Sequence, residues 1–170
     1  TGVLRGDTGM DEIRYIAGLD RQFPHRLRDI PDAPSGIYFM GRLPDEERPA
    51  VAVIGSRNCS EYGRGMANYF SDCLAGAGVQ IISGMARGID GIAQRAAIDA
   101  GGETFGILGC GPDIIYPREN SELFERILEK GGLISEVPPG TPADRINFPK
   151  RNRIISGMAD ILLVIESRIK

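Results

Sequence analysis

The chain has 170 residues, 42% of them hydrophobic and 25% charged, with a net charge of −3. This composition excludes a disordered tail, a fibrous repeat, a disulfide miniprotein and a globally basic nucleic-acid binder; a polyanion site would have to be a local concentration of positive charge. No apolar run reaches the roughly 20 residues of a bilayer span, no signal-peptide pattern opens the chain, and three scattered cysteines (Cys59, Cys73, Cys110) fit a reducing cytoplasm better than a disulfide framework.

Residues 1–49 are proline-rich, with possible strands near Ile13–Ala17 and Ile37–Met40. They read as a small irregular N-terminal extension packed on a core. From residue 50 a regular alternation begins. Val51–Ile54 is a buried strand ended by Gly55. Tyr62, Met66, Tyr69, Phe70, Cys73, Leu74 and Ala77 then recur as a single helical stripe, with Ser60 as N-cap and Gly76 and Gly78 as the stop. Gln80–Ile82 is the next strand, followed by a helix carrying Ile89, Ile92, Ala93, Ala96, Ala97 and Ala100. Thr104–Leu108 is a third strand, and a helix over 121–130 turns Leu123, Phe124, Ile127 and Leu128 inward. Leu133–Ile134 is a short fourth strand. A short helix with Ile154, Ile155, Met158 and Ala159 leads to a fifth strand, Ile161–Ile165.

Five strands joined by helical crossovers predict an α/β fold: a Rossmann-like open parallel sheet with helices on both faces, spanning 50–170. Right-handed crossovers bring every strand's C-terminal end to one edge, where ligands bind in such sheets. Gly55-Ser56-Arg57, Ser83-Gly84-Met85, Gly109-Cys110-Gly111, Ser135-Glu136 and Glu166-Ser167-Arg168 are therefore expected to converge. The first Met is absent and the chain ends on a lysine just after a strand, which suggests a fragment of a longer protein.

Each of these loops has a chemical reading beside a plainer one. Ser56 and Arg57 follow a tight glycine turn, and the planar guanidinium suits a phosphate; a solvated loop arginine is the alternative. Ser83-Gly84-Met85-Ala86-Arg87-Gly88-Ile89-Asp90 matches neither GxGxxG nor a Walker A loop, so no cofactor is expected, but it could form an anion nest, with Asp90 otherwise a helix cap. Cys110 has no histidine near it in sequence, His25 being the only one, and reads as a small buried thiol. Glu136 could act as an acid or base, but a salt bridge to a nearby arginine is the favoured reading. No metal-ligand or catalytic constellation is apparent.

The sharpest feature is Arg145-Ile146-Asn147-Phe148-Pro149-Lys150-Arg151-Asn152-Arg153: a run of positive charges, without a negative one, around an aromatic ring. Basic side chains can follow a phosphate backbone while an aromatic face stacks on an unpaired base, a combination that suits single-stranded nucleic acid. A solvated helix start with Phe148 in the core is the alternative.

Together these strings resemble the DNA processing protein family, DprA, also called Smf. Val53-Ile54-Gly55-Ser56-Arg57, the Ser83–Asp90 loop, Gly109-Cys110-Gly111-Pro112-Asp113 with Tyr116-Pro117-Arg118-Glu119-Asn120, Ser135-Glu136 followed by Pro138-Pro139-Gly140, and Phe148–Ile155 occur in the family's order over about residues 20–170. The resemblance implies a non-enzymatic protein that binds single-stranded DNA, protects incoming DNA in natural transformation and loads the recombinase RecA, usually as a homodimer. It also implies DNA contacts from Ser56, Arg57, Ser83, Gly84, Arg87, Arg145, Phe148, Lys150, Arg151, Asn152 and Arg153. The alternative is a Rossmann-like nucleotide hydrolase resembling the LOG phosphoribohydrolases. Those pair an arginine with a glutamate beside a Pro-Gly-Gly-x-Gly-Thr loop, which this sequence lacks.

Overall fold

A computed structural model describes residues 12–167. They form β1 (Arg14–Ala17), α1 (His25–Arg28), β2 (Gly36–Gly41), β3 (Ala50–Gly55), α2 (Glu61–Gly76), β4 (Gln80–Ser83), α3 (Ile89–Asp99), β5 (Thr104–Leu108), α4 (Ser121–Lys130), β6 (Gly132–Ser135), α5 (Asn147–Gly157) and β7 (Ile161–Glu166). The seven strands make one sheet in the order β1-β2-β6-β5-β4-β3-β7. The five strands expected from the sequence, β3 to β7, are parallel.

The N-terminal segment is more regular than its prolines suggest. β1 and β2 form an antiparallel pair, and β2 continues the sheet by pairing antiparallel with β6. Phe23, Leu27, Ile37 and Phe39 share one core cluster with Ile82, Phe105, Ile134 and Ile154. The extension is thus part of the sheet and of its core. Arg168, expected beside the last strand end, lies outside the described residues.

Helices cover both faces of the sheet. The side chains of β3 alternate: Val51 and Val53 pack with α2 and α3, whereas Ala50 and Ala52 pack with α1 and α5. α4 lies on the α3 side, with Leu123, Phe124 and Ile127 buried against Leu133. The first three parallel crossovers therefore use one face and the last, through α5, uses the other. That reversal sends β7 to the far side of β3 and opens a crevice at the switch in strand order.

α2 departs from the sequence reading. Ser60 is its N-cap as expected, accepting from the Gly63 N–H at 3.0 Å. The aromatic stripe, however, faces outward: Tyr62, Tyr69 and Phe70 are exposed. The buried positions are Gly63, Ala67, Ser71 and Ala75. Small residues at every fourth position let α2 approach its neighbours closely, and that contact outweighs the larger apolar stripe. Gly63 lies against the carboxylate of Glu166 and Ala75 against Gly102.

A buried charge pair fixes the C-terminal edge of the sheet. Asp90, in the first turn of α3, is 5% exposed and accepts the Gly84 N–H at 3.1 Å. Arg151, on α5, is 6% exposed; its Nη1 donates to the Gly84 carbonyl at 2.8 Å and to the Ile107 carbonyl. Gly84 stands between the two charges: a Cβ there would lie 2.7 Å from Asp90 Oδ2 and 2.8 Å from Arg151 Nη2. Burial pushes the Asp90 carboxyl above and the Arg151 guanidinium below their ordinary values, and mutual attraction opposes both shifts. Removing either partner strands a buried charge. Asp90→Asn and Arg151→Met should therefore each destabilise the chain by about 3–5 kcal/mol, while an Asp90→Leu/Arg151→Met double variant should lose much less than the sum. Urea unfolding measures all three, and additive losses would exclude the coupling.

Candidate nucleic-acid interface

The loops after the parallel strands converge around the N-terminal half of α5. Phe148 occupies the second position of that helix. Its half-buried ring packs directly on the backbone of Gly109, where a Cβ would come within 2.7 Å of the ring. The Arg57 guanidinium lies 5.6 Å from the ring centroid and that of Arg151 5.9 Å. Tyr116, 45% exposed, lies 5.4 Å from Phe148 between centroids, tilted by 30°. These residues, with Arg87, Gly84, Met85 and Cys110, line a cavity of about 280 Å³. A second cavity, about 500 Å³, occupies the crevice between β3 and β7 and is walled by Ser56, Arg57, Asn58, Asn152 and Glu166. Arg57 borders both.

The candidate residues take different positions. Arg57 and Arg87 are exposed at the rim of the aromatic cavity. The Ser56 hydroxyl donates to the Asn58 carbonyl at 2.9 Å, while its N–H donates to the Glu166 carbonyl. Ser83 is fully buried, its hydroxyl donating to the Val53 carbonyl at 2.6 Å. Gly84 uses both backbone groups on Asp90 and Arg151. The nest expected in the Ser83–Asp90 loop is thus filled from within: the anion it holds is the Asp90 carboxylate, folded back from the first turn of α3.

The basic run is not one surface, because α5 distributes it around its axis. Arg151 points inward. Arg153 is held by Glu136, with contacts of 2.6 and 2.9 Å, and lies 3.4 Å from Asp32. Donating to the Glu136 carboxylate raises the Arg153 pKa. Lys150 is exposed beside a third cavity that it shares with Glu136 and Arg153. Asn152 faces the β3–β7 crevice. Arg145 is exposed in the loop before α5 and does not line the aromatic cavity. Glu136 follows its salt-bridge reading. Cys110 is buried, donates weakly to the Ile114 carbonyl, and is pushed up to about 11 mainly by desolvation.

Sequence reasoning quoted Tyr116 and Asn120 without giving either a role. Asn120 is buried; its Nδ2 donates to the Met85 carbonyl at 2.9 Å, and its Oδ1 accepts from Arg95 at 2.8 Å. It supports Met85, whose φ of 58° is unusual for a residue with a side chain. The proximity of Tyr-Pro to a strand end was the available signal for Tyr116. Among the described residues no cluster of His, Cys, Asp or Glu is suited to a metal ion, and no helix is long and apolar enough to cross a membrane.

The profile of a family described as DNA recombination-mediator protein A matches residues 14–170. Protein Smf of Synechocystis sp. is 39% identical over 158 residues, covering 91% of this chain and 40% of that protein. DNA processing protein A (DprA) from Streptococcus pneumoniae has a similar structure, with a TM-score of 0.87 and 34% identity over 95% of this chain and 57% of that one. DNA processing protein A from Helicobacter pylori, whose structure is described as giving insights into its unique single-stranded DNA binding mode, gives a TM-score of 0.82 and 25% identity over 95% of this chain and 73% of that one. The chain thus spans 40% of the Synechocystis protein and a little over half of the pneumococcal chain. On the matched profile and these relatives, it belongs to the DNA recombination-mediator protein A family, the DprA/Smf proteins.

Proposed function

We propose that this chain is a non-enzymatic single-stranded DNA-binding unit of a cytoplasmic protein acting in DNA processing and recombination. One observation carries the reading: two aromatic rings, Phe148 and Tyr116, stand together at the strand ends with Arg57 beside them. An unpaired base can stack on such a surface while the guanidinium takes a neighbouring phosphate through charge-assisted hydrogen bonds. A base inside a duplex offers no free face, so the arrangement favours single strands. The DNA-binding mode named for the Helicobacter pylori relative agrees with this reading. Protection of incoming DNA, RecA loading and homodimerisation are proposed on family membership, for the longer protein.

A hydrolase has less support. Both carboxylate oxygens of Glu136 are bonded to Arg153, in a different cavity from Arg57. The buried Cys110 thiol, its pKa pushed up to about 11 mainly by desolvation, is poorly suited to be a nucleophile.

Fluorescence anisotropy with labelled oligo-dT, at two salt concentrations, tests the proposal. Arg57→Ala should cost about 1.5–3 kcal/mol of binding, and Phe148→Ala about 1–3 kcal/mol. Tyr116→Ala should cost about 1 kcal/mol, and duplex of equal length should bind much more weakly. Unchanged affinity in all three variants would remove the aromatic cavity from the site. Alkylation with iodoacetamide at pH 8 tests the thiols: exposed Cys73 should react in the folded chain, and Cys110 only after unfolding.

A further inference from the structure

We infer that Glu119 is a built-in competitor of DNA phosphate for Arg87 and thereby limits the affinity of the site. The inference rests on the single-stranded DNA reading of the aromatic cavity.

Arg87 lines that cavity beside Tyr116, Pro117 and Arg57. Its guanidinium is in hydrogen-bonded ion-pair contact with the Glu119 carboxylate. Glu119 lies on a 3₁₀ turn, Arg118–Asn120, that the rest of the fold holds in place. Asn120, the next residue, is 5% exposed and donates to the carbonyls of Met85, at 2.9 Å, and Ala86, at 3.4 Å. Ala86 directly precedes Arg87. The same anchor thus fixes the backbone positions of the carboxylate and of the guanidinium it meets.

The exposure of the pair argues against a role in stability. The side chains of Arg87 and Glu119 are 62% and 59% exposed. Ion pairs in water at such exposure add little to folding. What the pair does change is the charge at the rim: an arginine placed to meet a phosphate is neutralised by an acid. An incoming phosphate must displace that carboxylate and bind close to its charge. The Arg153–Glu136 pair differs, because Arg153 is 22% and Glu136 32% exposed and lies beside another cavity.

Glu119→Gln keeps the size of the side chain and removes its charge. At low salt it should tighten binding of labelled oligo-dT by about threefold to tenfold. The plot of log affinity against log salt should steepen by about 0.7, the increment for one more phosphate contact on a single strand. Thermal unfolding should be unaltered. Arg87→Ala should weaken the native chain by less than about twofold, but should erase the whole gain in the Glu119→Gln background. Arg57→Ala is measured alongside as the control for the site. If Arg57→Ala weakens binding while Glu119→Gln leaves it unchanged or weaker, the competitor role is overturned and the DNA reading stands. A gain that persists in the Arg87→Ala/Glu119→Gln double variant would also overturn it, since the effect would then be a general change of field. Loss of the Arg57 dependence would overturn the reading and the inference together.

Discussion

The edge of the sheet is organised by a carboxylate and a guanidinium that have both left water. Asp90 and Arg151 flank Gly84, and their hydrogen bonds reach the ends of β4 and β5. Desolvating two charges is expensive, so the pair is weak evidence for stability. Its structural result is clear: the loop after β4 is tied to a helix on each face of the sheet, α3 and α5. Placement of Arg151 also places Phe148 one turn earlier, against Gly109 and near two guanidinium groups. A ring fixed in this way loses little freedom when a base stacks on it.

Filling the loop with Asp90 has a chemical consequence. In nucleotide-binding sheets the glycine-rich turn leaves its N–H groups free for a phosphate. Here the Gly84 N–H is already bonded to an internal carboxylate. On the proposed reading, anion recognition falls to the side chains at the rim. Arg57 is long and exposed, which suits a flexible backbone better than one rigidly cradled phosphate group, whereas Arg87 is engaged by Glu119.

Much of the sheet was legible because parallel strands buried on both faces read as short β-branched runs ended by glycine. Val51–Ile54 and Thr104–Leu108 are examples, and the 121–130 helix falls where its apolar spacing puts it. The span and N-cap of α2 were legible but its buried face was not, because periodicity weights large side chains, whereas the contact that decided its orientation is made by Gly63, Ala67, Ser71 and Ala75. The N-terminal strands were located, but their pairing with β6 was not, since long-range register leaves no local trace. At the candidate site, Arg57 and Phe148 were singled out by residue type and position, and the fold brings both to one cavity. The separate fates of Arg151 and Arg153 were not, because a linear run of charge says nothing of which residues a helix turns inward. Arg151 was read with the DNA contacts and lies in the interior.

The same helix closes the fold and lines the candidate site, and the reason is topological. α5 crosses on the face opposite α2, α3 and α4, so β7 pairs with β3 and not beyond β6. That crossing carries α5 over the strand ends, where its first turns project Phe148 toward the aromatic cavity and Asn152 toward the crevice beside β3. Ile154 and Ile155, in its second half, are buried in the core that also holds Phe105 and Ile107. One element is therefore held by packing at one end and presents cavity-lining groups at the other. Its position is set by the core, and the separation of Phe148 from Arg57 follows from it. Changes to the buried end of α5 would reach the interface through geometry, without altering any residue that faces the cavity.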